Sequence, residues 1–346
     1  MPLLSGWFGG GVRLNEAWRV ATQDHVISLA WSPDNRHLAV AGVAGGILLI
    51  DADTGETRHT FPGHKVGATT VTWADDGTVA SAGQDGRVRI WDAASGSERF
   101  ALDAGAKWVE RLAISPCGTF LASAAGKKVR LWDREDRVLQ DYPELASTVT
   151  DLAWRPGVLE LTASAYGGVT LWSPTSTEPV GRFQWKGSVV RLAWSPDGKY
   201  LATGDQDLTI HFWIPGTDLD LKMWGYPKKV MQLAWDHNSR FLATGGGHRV
   251  TVWDCSGNGP EGTRPLGLDA HAEKDAVSVL AFQRQGAILA SGGSDGCVQL
   301  WRPQDGKAKL AEARFEAAVT QAVWSGDDSR LAVGTDTGEL AMLRVG

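Results

Sequence analysis

Cysteine is scarce in this chain. Three residues among 346 (Cys117, Cys255 and Cys297) show neither paired nor metal-type spacing. That argues against a disulfide framework and fits a reducing compartment. Long apolar runs are also missing: none approaches the ~18 residues that suggest a membrane span. The N-terminal MPLLSGWFGGG has no basic n-region and no long apolar core, so it does not read as a signal peptide. The expected location is therefore cytoplasmic, away from membranes. Positive charge is not in excess, because the net charge is −6, and nucleic-acid binding is not advertised. There is no GxxxxGK[ST] phosphate loop and no HExxH pair. The eight histidines are scattered, and six (His25, His37, His59, His211, His237 and His248) read as solvated or capping. Neither a catalytic residue, a metal nor a cofactor is expected.

Two residue types are abundant: 42 Gly and 17 Trp, against a normal charged fraction of 21%. Glycine suits tight turns that need positive φ, and tryptophan is a large core residue. Many of both point to many short strands. The tryptophans recur in register. Aligned on the end of a first strand, anchors fall at Trp31, Trp73, Ile114, Trp154, Trp194, Trp235, Phe282 and Trp324, spaced by 40 to 47 residues. A second anchor follows each after 18 or 19 residues: Ile50, Trp91, Trp132, Trp172, Trp213, Trp253, Trp301 and Leu343. A period of ~40–45 residues with Trp-Asp endings is the mark of a four-stranded propeller blade.

On these residues the chain resembles the WD40-repeat family over nearly its whole length. Trp91-Asp92, Trp132-Asp133 and Trp253-Asp254 give the dipeptide, Gly63-His64 the Gly-His element, and Ser32-Pro33-Asp34 and Ser195-Pro196-Asp197-Gly198 the turn after the inner strand. The resemblance implies an all-β fold: one closed propeller of eight four-stranded blades over 13–346, after a tail at 1–12 containing Trp7-Phe8. Seven blades, with one degenerate copy packed elsewhere, is the alternative. The eighth copy has no room for a fourth strand, so Ala17-Trp18-Arg19-Val20-Ala21 is expected to supply it and lock the ring. In the sixth copy, Thr263–Leu268 is expected to be the outer strand.

The resemblance also implies structural tetrads in which His, Ser/Thr, Asp and Trp bond in series, the hydroxyl bridging His and Asp. His64, Ser81, Asp85 and Trp91 match in the second copy, and His271, Ser291, Asp295 and Trp301 in the seventh. The fifth has Thr203, Asp207 and Trp213, with Trp185 in the histidine's place. Such a closed network braces a buried polar cluster and is not a catalytic triad.

Function is then expected on a surface. The family's usual partner site is its upper face, formed by the loops entering inner strands and the turns between second and third strands. Lys107-Trp108, Trp185-Lys186 and the run Trp224, Tyr226, Lys228 and Lys229 fall near those entries. Aromatic residues beside cations suit recognition of an acidic partner or a planar group. Trp185 and Tyr226 also sit at the offset of His64 and fill its pocket in the competing reading. Arg111, Asp151, Arg191 and Gln232 occupy equivalent places on successive inner strands, where alternating charge suggests neutralisation around the channel or, alternatively, a bound anion. The expectation is a non-enzymatic scaffold for a protein or peptide, as a monomer or a subunit of a larger complex. The alternative is a nucleotide or nucleic-acid reader using the same arc, since bases stack on aromatics.

Overall fold

The computed structural model describes residues 11–346 apart from Asp136, Asp218 and Asn258. Trp7 and Phe8 of the expected tail lie outside the described residues. Strands make up the whole framework; among the described residues the helical content is one 3-10 turn, Pro303–Asp305. No helix is long and apolar enough to cross a membrane.

Each repeat follows one physical plan. In the second, the strands Ala68–Asp75, Thr78–Gly83, Arg87–Asp92 and Glu98–Asp103 pair antiparallel in sequence order. The second strand, TVASAG, is buried at every position, because neighbouring sheets cover both of its faces. The outer strand, ERFALD, is mostly exposed, since only its inner edge meets protein. One such sheet cannot cover both its own faces; stacking around a ring does so.

Hydrogen bonding groups the strands into seven sheets, six of four strands and one of six. Counted as continuous sheets the ring thus has seven members, the alternative number. Counted by inner strands it has eight, and no repeat is packed elsewhere. The six-stranded sheet holds the fourth and fifth repeats, joined by one long strand, Pro179–Trp194. Its first part pairs with the fourth repeat, Phe183 opposite Val169. Its last part is the inner strand of the fifth, Trp194 opposite Leu201. The strand Glu160–Trp172 also carries two segments, joined through Gly167 and Gly168 at φ 98° and 119°, a conformation that side chains disfavour.

Closure uses both ends of the described chain. Leu14–Ala21 pairs antiparallel with Glu339–Val345, with Trp18 opposite Met342. The inner strand Val319–Trp324 also packs against Val26–Trp31. The inner-strand tryptophans staple the ring. The indole N–H of Trp73 donates to the Ala30 carbonyl of the preceding repeat at 3.1 Å, and Trp154, Trp235 and Trp324 do the same to Ala113, Ala193 and Ala281. Trp31 reaches Val323 at 3.0 Å and so joins first repeat to last. Hydroxyls add a second set of latches: Thr69, Thr150, Ser278 and Thr320 donate to the carbonyls of Val109, Val189, Val319 and Val26 in the following repeat.

Candidate interaction face

The loops entering inner strands and the turns after second strands lie together. The Gly45 carbonyl accepts the N–H of His64, that of Gly67 accepts Gln84, and that of Gly126 accepts Val149. They form one face of the ring, termed the upper face here.

Beneath it, the second repeat holds a buried hydrogen-bonded series. His64 Nδ1 and Asp85 Oδ1 are 2.9 Å apart, His64 Nε2 and Ser81 Oγ 2.9 Å, and the Trp91 indole donates to Ser81 Oγ at 2.8 Å. Burial lowers the His64 pKa, despite the opposing pull of Asp85, and keeps the ring neutral. A carboxylate only accepts, so Nδ1 carries the proton and Nε2 accepts the Ser81 hydroxyl. The imidazole is therefore the bridge, not the hydroxyl as expected: serine is too short to span, while the two ring nitrogens face opposite ways. Asp, His and Ser stand in the order of a catalytic triad, but Ser81 and Trp91 are fully buried, and no substrate reaches the hydroxyl.

The seventh repeat keeps two pieces of this series. His271 Nδ1 lies 2.9 Å from Asp295 Oδ1, and Trp301 donates to Ser291 at 2.9 Å. His271 Nε2 has no partner, so the series is broken between His271 and Ser291. The nearby run Gly292-Gly293-Ser294-Asp295-Gly296 matches a G-x-S-x-G pattern that sequence reading passed over. A nucleophile elbow needs a strand-to-helix turn; this segment joins the strands Leu289–Gly293 and Cys297–Trp301, and Ser294 Oγ accepts the Ala276 N–H.

In the sixth repeat Tyr226 occupies the histidine's place. Its hydroxyl lies 2.8 Å from Thr244 Oγ1 and accepts the Trp253 indole N–H at 2.9 Å. Burial pushes the phenol pKa up to about 12. In the fifth repeat Trp213 donates to Thr203 at 3.2 Å, and the ring of Trp185 lies 4.0 Å from that of His211 with the Lys222 ammonium 4.6 Å above it. His211 is not solvated: it is buried, bonded to Asp220 at 2.6 Å and 3.7 Å from Asp205. Asp205 is fully buried with no hydrogen-bond partner on either oxygen. Burial, reinforced by Asp207 and Asp220, pushes its carboxyl up to about 8. Sequence gave no hint of this cluster, because its members reach the site from three different strands.

The channel positions form an ion network. Arg111 donates to Asp151 at 3.0 Å, and Arg191 lies 3.7 Å from the same oxygen. Asp151 also accepts the Leu192 N–H, while Gln232 donates to the Ser278 carbonyl. One carboxylate serves two guanidiniums.

Five of the aromatic and basic positions line three separate cavities. Lys107 lines one of about 570 Å³, Trp185 and Lys186 one of about 750 Å³, and Trp224 and Tyr226 one of about 790 Å³. Trp108 is 56% exposed and Trp224 76%, and Lys107, Lys186, Lys228 and Lys229 are exposed. Sequence reading missed Tyr166, 57% exposed at the Gly167-Gly168 turn, and Val43, Val66, Leu208 and Met231 on neighbouring loops and turns. Of fourteen exposed large hydrophobics among the described residues, these five with Trp108 and Trp224 make seven on the upper face. All lie between the first and sixth repeats. The signal was present, since Val66, Leu208 and Met231 occupy connections where polar residues are the norm.

Residues 25–258 match the family model described as the IFT122 first beta-propeller. The chain belongs to that propeller family. Within its WD40-type fold, residues 262–302 match the WD domain, G-beta repeat. Curated relatives include a probable cytosolic iron-sulfur protein assembly protein 1 from Mycosarcoma maydis, 31% identical over 41% of this chain and 28% of its own length. Centriole proteome protein 16 from Chlamydomonas reinhardtii is 36% identical over 22% of this chain and 4% of its own. The chain thus spans under a third of either relative. The crystal structure of the computationally designed Ika8 protein superposes with a TM-score of 0.80 at 22% identity, over 94% of this chain and 97% of that one, a likeness of fold alone.

Proposed function

We propose that the chain is a non-enzymatic interaction scaffold that holds a protein or peptide partner on its upper face. The observation that supports this best is the arc of exposed Val66, Trp108, Tyr166, Leu208 and Trp224 on connections that the fold itself does not need to be apolar. Clusters of exposed aromatic and aliphatic side chains mark interaction sites, and aromatic residues dominate binding hot spots. Lysines 107, 186, 228 and 229 flank the arc and favour a partner with acidic character. The names of the two curated relatives, one an assembly protein and the other a centriole proteome component, fit a subunit working with other proteins, and the word cytosolic fits a cytoplasmic site of action.

The test is affinity capture with the wild-type chain and with Trp108→Ala/Tyr166→Ala/Trp224→Ala, followed by mass spectrometry. A partner recovered by the first and lost by the folded triple variant supports the reading. Undiminished capture by the variant removes the upper face from consideration.

A further inference from the structure

In four repeats the third-strand residue two positions before the tryptophan anchor reaches a polar partner on the outer strand of its own sheet. Arg89 donates to Glu98 at 2.7 Å, Arg130 to Asp141 at 2.9 Å and Gln299 to Glu312 at 3.3 Å, and His211 bonds Asp220 at 2.6 Å. In each case that partner is a carboxylate. In these four repeats the anchors Trp91, Trp132, Trp213 and Trp301 are all buried.

The sixth repeat has no such plug. Thr251 stands two before its anchor, and the residue opposite is Gly267. Its outer strand is only Leu266–Leu268, half the expected Thr263–Leu268, because Pro265 lacks the N–H that would extend the ladder. Trp253 is partly exposed, alone among the six third-strand tryptophans; in the fourth repeat, where Thr170 likewise has no carboxylate partner, the Tyr142 ring 5.0 Å away accompanies a buried Trp172. The cavity of about 790 Å³ opens here, between the exposed Trp224 and the outer strand. Arg249, Arg264 and Lys307 line it with no carboxylate among the lining residues. Arg249 is held by Asp269 at 2.7 Å, whereas Arg264 and Lys307 form no ion pair among the described residues. In a chain of net charge −6, this is a local reversal of sign.

We propose that this groove docks an extended acidic segment of a partner protein, whose carboxylates take the place that Glu98, Asp141, Asp220 and Glu312 fill in the other repeats. Trp224 and Trp253 give its side chains an aromatic wall, and Arg264 and Lys307 supply the attraction. The proposal rests on reading the chain as an interaction scaffold and shares Trp224 with the arc above, but its charged residues, Arg264 and Lys307, lie outside that arc.

A random nonapeptide library displayed on phage, selected against the full chain, tests it. The counter-selections use Arg264→Glu/Lys307→Glu and, separately, Gly267→Glu, which supplies a carboxylate in cis. The expected result is enrichment of Asp- and Glu-rich peptides whose binding weakens at least about tenfold in either variant and with added salt, at unchanged melting temperature. No enrichment, enrichment without acidic bias, or binding indifferent to both variants would overturn it. So would tighter binding of a single-stranded oligonucleotide at low salt than of any selected peptide. Partner capture through the upper face that persists in both variants, without acidic enrichment, retains the scaffold reading and removes the groove.

Discussion

The second and sixth repeats follow the same strand plan and fill it differently. In the second, a series of four side chains runs from Asp85 to Trp91, the Phe61 ring stacks on the anchor at 5.1 Å, and Arg89 with Glu98 closes the outer margin. In the sixth, a tyrosine does the work of the histidine, the acidic member is missing, and the margin is open. The ring tolerates this because closure is carried near the axis, by indole-to-carbonyl staples that both repeats keep. Outer margins are consequently free to vary, and a departure there creates surface without breaking the ring.

Trp91→Ala should show the largest contrast. Removing a fully buried indole should cost about 3–5 kcal/mol, and Trp253→Ala, already partly exposed, measurably less. Urea denaturation of both variants measures the difference; equal losses would mean that the open margin is closed in solution.

The bracing series gives the next effect. A double-mutant cycle on His64→Ala and Ser81→Ala should return a coupling of about 1–2 kcal/mol, against about zero for His271→Ala and Ser291→Ala, where the link is absent. Comparable coupling in the two repeats would show that His271 Nε2 does find its serine.

The fifth repeat adds a pH dependence opposite in sign to that of the buried His64 in the second. A carboxyl raised to about 8 is protonated in the folded state and ionised in the unfolded state at neutral pH. The fold therefore binds the extra proton, and this contribution to stability is complete below the unfolded value near 4 and lost as pH rises towards 8. Asp205→Asn should remove that slope and raise stability at pH 8 by at least about 1 kcal/mol. Thermal melts from pH 5 to 8 that keep the wild-type slope would count against it. The smallest effect is expected from Trp224→Ala, which should leave stability within about 0.5 kcal/mol while altering binding.

How far the sequence could be read varied with the kind of interaction. The tryptophan anchors were legible because burial between sheets demands a large apolar residue at the same place in every turn of the ring. The closing strand was legible at Ala17–Ala21 because the last repeat lacked one, though its start at Leu14 was not. The fusion of the fourth and fifth repeats was not, since it depends on one strand staying extended from Gln184 to Ser188 through a shift in its pairing register. The half-length outer strand of the sixth was missed because Pro265 acts through a ladder partner that sequence does not name. At the candidate site, Trp108 and Trp224 were legible as aromatics outside the anchor register. Tyr166 was not, because it hides beside a glycine turn that looks like any other.

The sequence by itself determined the repeat, its register and the residues that must be buried, because periodic burial leaves a periodic trace. Tertiary structure alone decided which nitrogen meets which oxygen, that Asp205 and His211 are buried side by side, and that Thr251 faces Gly267. Those facts depend on side chains from separate strands meeting at a few ångströms, and a linear pattern carries no record of which residues stand opposite one another.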